Sequence, residues 1–144
     1  RQRQMCIRDR YNISIDISNL QEFSCGIFMK QIDLESIIVN MLTNSFEALK
    51  GTGGKRVIKI STIDFGEEYQ IVFEDSGPGV PDNLKEWIFI PLNTTKEEDG
   101  VGLGLTIVKD IVESYNGKIE VGKSNAIGGA QFTVIFPVDE VKDE

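Results

Sequence analysis

Residues 33–50 read DLESIIVNMLTNSFEALK, and in them Leu34, Ile37, Ile38, Met41, Leu42, Ser45, Phe46 and Leu49 recur at intervals of three and four. That spacing is the stripe of an amphipathic helix with one face committed to a core. Asn40 and Asn44 lie four residues apart on the same helix, so their amides project side by side next to the apolar face. Asparagine is a poor helix former because its amide competes for nearby backbone groups. Two of them in one helix either satisfy local backbone or serve a site, and the helix alone does not decide which. Two glycine-rich elements follow downstream: DxGxG at Asp75, Gly77 and Gly79, and GxGLGL at Gly100, Gly102, Leu103, Gly104 and Leu105.

Upstream of the helix, Ile13, Ile15 and Ile17 alternate with Ser14 and Asp16, the period of a half-buried strand. Residues 19–32 read as a loop. After the helix, Gly51, Gly53 and Gly54 stop it and begin a turn. Residues 57–65 and 69–74 are β-rich runs around Gly66-Glu67-Glu68, an antiparallel hairpin that ends at Asp75. From 80 to 100 the periodicity fails, with Pro81, Pro91 and the acidic Glu97-Glu98-Asp99 scattered around Trp87, Ile88, Phe89 and Ile90. This stretch reads as a long loop with a short apolar anchor. Helical spacing returns over residues 105–115 through Ile107, Val108, Ile111 and Val112. Asn116-Gly117 turns the chain, and residues 118–121 and 131–138 close it as two strands around Gly128-Gly129. This order predicts an α/β (α+β) two-layer sandwich, with helices on one face of a mixed β-sheet.

The chain has 144 residues, enough for one domain that buries roughly 70% of its unfolded surface. Its composition, 40% hydrophobic and 26% charged, is that of an ordinary globular protein. A formal net charge of -8 argues against general affinity for nucleic acid or anionic membrane. A nucleotide needs only local donors and a metal ion, which a whole-chain charge does not report. Cys6 and Cys25 lack metal-ligand spacing and there is no histidine, so the sequence argues against zinc and for reduced thiols. No apolar run is long enough to span a bilayer, and the N-terminus lacks the apolar core of a signal peptide. Residues 1–10, RQRQMCIRDR, carry no core pattern and are left outside the fold. They resemble translated sequencing adapter, in which case the native chain continued upstream; the alternative is a basic linker.

Each polar element offers something a nucleotide can use. Asn44 presents a neutral carbonyl oxygen, a hard ligand suited to a Mg²⁺ ion that keeps most of its water. Asp75, at a strand end, presents a carboxylate able to accept from an exocyclic amino group, and the glycines after it let a base lie against bare backbone. Residues 100–104 precede a helix, whose free amides and positive dipole end attract phosphate oxygens. Thr94, Thr95 and Lys96 add hydroxyls and a cation. Singly these are weak signals, since DxGxG and GxGxG also occur as plain turns. Their combination in this order is specific.

With these residues in place, the sequence resembles the catalytic, ATP-binding domain of sensor histidine kinases, a branch of the GHKL ATPase superfamily with the Bergerat fold. The resemblance covers residues 11–138, leaving 139–144 as an acidic tail. Residues 40–44 correspond to the N-box, 75–79 to the G1 box, 89–96 to the F-box and the following lid, and 100–105 to the G2 box. It implies ATP and Mg²⁺ as cofactors, with Asn44 as the magnesium ligand and Asp75 reading adenine N6. Glu47, Ala48, Gly77, Gly79, Val80, Phe89, Thr94, Thr95 and Lys96 are implied as further nucleotide contacts. So are Gly100, Val101, Gly102, Leu103, Gly104 and Leu105, with Asn40 and Lys96 implied as catalytic. The chain departs from the family pattern at Glu47, where a basic residue often touches phosphate, leaving Lys96 or Lys50 as substitutes. Leu92 replaces the second F-box phenylalanine, and Ala130 replaces a threonine near the base.

Asn40 stands where ATP-hydrolysing branches commonly carry a glutamate base, and an amide cannot take that proton. The resemblance therefore implies phosphoryl transfer onto a partner, a reaction that rests on positioning and Mg²⁺. Because the chain has no histidine, the acceptor is expected on a separate helical dimerisation domain upstream, with a response regulator as indirect partner. No contact with nucleic acid or membrane is expected of this domain, which would be cytoplasmic or the cytosolic part of a membrane-bound sensor. Two other readings stay open: a GHKL serine kinase of anti-sigma type, and a non-catalytic, ATP-dependent interaction switch.

Overall fold

The computed structural model describes residues 4–7, 13–20, 27–91 and 104–138. Its strands are β1 (Gln4–Ile7), β2 (Ile13–Asn19), β3 (Arg56–Asp64), β4 (Glu68–Asp75), β5 (Lys118–Lys123) and β6 (Ala130–Pro137), and its helices α1 (Gln31–Leu49) and α2 (Gly104–Ser114). They form one six-stranded sheet in the order β1-β2-β3-β4-β6-β5. Only β2 and β3 pair in parallel, joined through α1, and the other pairings are antiparallel. The expected mixed sheet with packed helices is therefore observed.

The period-two alternation decides which side chains face the helices. Along β6, Ala130, Phe132, Val134 and Phe136 point inward and join Phe73 of β4. Ile37 and Met41 of α1 and Val108 and Val112 of α2 complete this main core. A second cluster, Ile13, Ile15, Leu49 and Ile58, seals the other end of α1 against β2 and β3. Within α1 the fully buried positions are Ile37, Met41, Ser45 and Leu49, a strict four-residue ladder. Leu34, expected in the stripe, sits in the first turn and remains 38% exposed. Gly51, at φ 79°, takes the left-handed conformation that ends the helix.

Element ends shift from expectation by one or two residues, β5 for example running to Lys123 instead of 121. Helix α1 begins at Gln31 instead of 33, before the first member of its apolar stripe. The aperiodic stretch after Gly79 contains two single-turn 3-10 helices, Asp82–Leu84 and Trp87–Phe89, too short to leave a period in the sequence. Gln4–Ile7, set outside the fold by its lack of pattern, pairs antiparallel with β2 as an edge strand. Backbone pairing along an open sheet edge requires no apolar periodicity, so the sequence carries no mark of it.

The two helices are tied where α2 ends. The Tyr115 hydroxyl donates to Asp33 Oδ2 and accepts the Lys30 N–H at 3.1 Å, satisfying an amide at the start of α1. Donation to Asp33 is the main reason the phenol is held above its ordinary pKa of 10.0. A raised pKa means that this contribution to stability is complete below about pH 10 and disappears as pH rises through the folded-state value. Tyr115→Phe should therefore lower the melting temperature at pH 7, and the gap between variant and wild type should close above pH ~10. A gap that is constant across that range would show that the hydroxyl does not tie the helices.

Candidate functional site

Asp75 is the last residue of β4 and is 1% exposed. Its Oδ1 accepts the Gly77 N–H at 2.9 Å and, from the far side of the molecule's sequence, the Ala130 N–H at 3.3 Å. The register of β4 with β6, in which Glu74 stands opposite Gln131, brings residue 130 beside Asp75. Ser76 fixes the turn that follows: its N–H donates to the Val57 carbonyl at 3.0 Å, its Oγ accepts the Val57 N–H at 2.8 Å, and its hydroxyl donates to Lys55 O at 3.2 Å. A carboxylate so deeply buried is tolerable because backbone donors solvate it, and they also fix its direction.

The space around this carboxylate admits only bare backbone. A Cβ on Gly77 would lie 3.0 Å from Asp75 Oδ1 and 3.1 Å from the Ala48 carbonyl oxygen. A Cβ on Gly129 would collide with the Asp75 carbonyl oxygen and come within 2.5 Å of Oδ1 and 2.7 Å of Gly77 N. Gly79, at φ 79°, faces Gly129 and Ala130 across 3.7 to 4.0 Å measured from the same ideal position. Asp75, Gly77, Gly79 and Ala48, four of the residues expected at the site, therefore converge. Gly129 and Ala130 join them. In the sequence Gly128-Gly129 reads as a turn alone and Ala130 as the loss of a hydroxyl, because the contact spans 55 residues and depends on strand register.

Helix α1 carries the remaining polar groups along one side. Asn40 Nδ2 donates to the Ser36 carbonyl at 2.7 Å, and Asn40 Oδ1 lies 3.4 Å from where a Cβ on Gly104 would stand. Asn40 thus faces the first residue of α2, and half-buried Asn44 follows one turn on toward Ala48. Glu47 is ion-paired with Lys50 at 3.0 Å. Val80, Leu105 and Phe89 are partly buried against the main core. The Phe89 ring meets Phe132 edge-on at 6.5 Å between centroids and carries the Lys109 ammonium 5.8 Å away, while its carbonyl accepts from Thr106 Oγ1 at 3.1 Å. These contacts anchor the 3-10 turn to α2. Thr94, Thr95, Lys96, Gly100, Val101, Gly102 and Leu103 lie outside the described residues.

The donor set fits an adenine nucleotide. A directed, buried acceptor, the glycine backbone packed around it and the start of a helix line up beside two helix-borne amides. Among the described residues no group of three or more acidic, histidine or cysteine side chains could hold a metal by itself. A metal here would take the Asn44 oxygen together with phosphate and water, which suits Mg²⁺.

Residues 29–140 match the family of histidine kinase-, DNA gyrase B- and HSP90-like ATPases. The chain belongs to this family. Within it, the chain is 35% identical over 133 residues to the sensor protein CitS of Halalkalibacterium halodurans, covering 91% of this chain and 24% of that protein. It is 35% identical over 119 residues to the C4-dicarboxylate transport sensor protein DctB of Rhizobium meliloti, covering 81% of this chain and 19% of that protein. Among solved structures, the nucleotide-free catalytic domain of histidine kinase ThkA superposes with a TM-score of 0.74 at 28% identity, over 90% of this chain and 82% of that one. The fold and family are those of the ATP-binding domain of sensor histidine kinases. The chain spans 8% to 32% of the length of such curated relatives.

If Gly129 is required by the close approach of Asp75, Gly129→Ala should destabilise the domain by about 1–3 kcal/mol, the usual cost of overpacking. Gly53→Ala, where a Cβ meets nothing within 4 Å, should stay within about 0.5 kcal/mol of wild type. Equal denaturant midpoints for the two variants would remove the steric role given to Gly129.

Proposed function

We propose that this chain is the Mg-ATP-binding catalytic domain of a two-component sensor histidine kinase, and that it delivers the γ-phosphoryl group to a histidine on a separate helical dimerisation domain. The observation that carries the reading is the Asp75 carboxylate, buried and aimed by the Gly77 and Ala130 amides. Bound Mg-ATP supplies the transferable phosphoryl group and the charge that neutralises it. Asp75 accepts from the exocyclic amine of adenine, and Gly77 and Gly129 let the backbone close on Asp75 and hold it in place. Asn44 offers its oxygen to the metal, and Gly104 opens α2, whose dipole favours the phosphates.

Asn40 supports transfer over hydrolysis. Its amide nitrogen is committed to the Ser36 carbonyl, and neither of its atoms can take a proton from water. Of the acids on α1, Glu35 lies five residues before Asn40, turned about 140° around the helix and bonded by Gln31, and Glu47 lies about 10 Å along the helix and is paired with Lys50. That pairing also diverts Lys50 from the phosphate role open to it in the sequence, leaving Lys96 for it. The chain contains no histidine, so the acceptor belongs to a partner domain and a response regulator receives the group afterwards. No described helix is long and apolar enough to cross a membrane, and we place the domain on the cytoplasmic side of its sensor.

Incubated with γ-labelled ATP and Mg²⁺, residues 1–144 alone should neither label themselves nor release phosphate appreciably. Adding the cognate histidine-bearing domain should yield an acid-labile, base-stable label on that partner. An acid-stable label would move the assignment to a serine kinase, and rapid phosphate release by the chain alone would overturn the role of Asn40. Asn44→Ala should cost on the order of tenfold in magnesium-dependent ATP affinity, about 1.4 kcal/mol; identical magnesium dependence would remove Asn44 as the metal ligand.

A further inference from the structure

We infer that Ser124 is a positioning residue for nucleotide specificity: its hydroxyl, bonded to Glu74, holds the 124–130 turn on β4 and thereby sets the direction of the Asp75 carboxylate. The inference rests on Asp75 reading the adenine base.

Glu74 and Asp75 are successive residues of β4 and so face opposite sides of the sheet, yet both grip the same turn. On the inner side, Asp75 Oδ1 accepts the Ala130 N–H. On the outer side, Glu74 is 7% exposed and its Oε1 accepts from Ser124 Oγ at 2.9 Å. Ser124 is itself 0% exposed and acts as the node of the turn. Its Oγ accepts the Ile127 N–H at 3.1 Å, its own N–H donates to Gly129 O at 2.7 Å, and its carbonyl accepts the Gly128 N–H at 2.9 Å. Gly129 is therefore fixed through its carbonyl by Ser124, and the next amide is the one that aims Asp75.

Polar ties matter here because packing is thin on the outer side. A hollow of about 390 Å³, lined by Asp16, Lys55, Val57, Ser76 and Ile127, adjoins the turn there. Without the Ser124 hydroxyl, the Glu74 carboxylate is left buried and short of a donor, and the Ile127 N–H loses its acceptor in the same step, which loosens the turn. The Ala130 amide then holds Oδ1 less firmly. A carboxylate free to rotate accepts from an amino group less well and penalises a carbonyl oxygen in the same place less strictly.

The test is competition of ATP and GTP, each with Mg²⁺, against a fluorescent adenine nucleotide on the 144-residue chain. Ser124→Ala should lose roughly three- to tenfold in ATP affinity, the range of one hydrogen bond, with GTP affected less, so that the ATP-to-GTP preference narrows. Ser124→Thr, which keeps the hydroxyl, should restore the preference. A purely structural role would lower the melting temperature and weaken both nucleotides alike, leaving the ratio unchanged. Glu74→Ala cuts the same bond from the other end and serves if Ser124→Ala does not fold. A wild type that discriminates while the variants keep its ratio overturns the inference about Ser124 alone. A wild type without preference overturns the reading of Asp75 itself.

Discussion

The Asp75 carboxylate is removed from water at the end of β4, and a buried charge of that kind is tolerable only where donors converge on it. Two of the donors here are main-chain amides, which cannot be supplied by a substitution and can be brought in only by the path of the chain. One comes from the turn immediately after Asp75. The other comes from Ala130, which arrives because β6 pairs with β4 in one register. A slip by one residue would turn Asp75 toward the outer face and remove Ala130 from reach. The sheet register, the glycine at 129 and the direction of the carboxylate thus form one constraint.

The remainder of the fold keeps that constraint in place. Met41 and Ile37 press α1 onto Phe73 and the inner face of β6, which brings Ala48 against Gly77 and lines Asn40 and Asn44 along the same side. The second helix is held at its end by Tyr115 on Asp33 and Lys30, and near its start by Thr106 on the Phe89 carbonyl. Its first residue consequently stands opposite Asn40. Burial fixes the helices on the sheet, while a small number of directed hydrogen bonds decide how their ends meet.

Periodicity made much of this legible before any coordinates. The four-residue ladder of α1, the alternation of Ile13 and Ile15 and the two hairpins are written in local pattern, and they suffice for a mixed sheet with helices on one face. Asn40, Asn44, Asp75 and Gly77 stood out because they follow one another in a set order with the later glycine-rich element, since each alone has a local explanation. Gly129 and Ser124 did not, since a glycine or serine in a turn already has a local explanation and their partners lie 50 residues or more away in sequence. The same limit hid β1, whose pairing uses backbone alone, and the 3-10 turns that anchor Phe89.

On this reading the buried, amide-aimed carboxylate of Asp75 binds an adenine nucleotide, and thermal unfolding with and without Mg-ATP tests that most directly. At about 100 times the dissociation constant of the wild type, ligand should add ~2.7 kcal/mol of stability, and the same concentration should add much less to Asp75→Asn. A wild type whose unfolding is unmoved by Mg-ATP, or a variant stabilised as strongly as the wild type, would contradict the account.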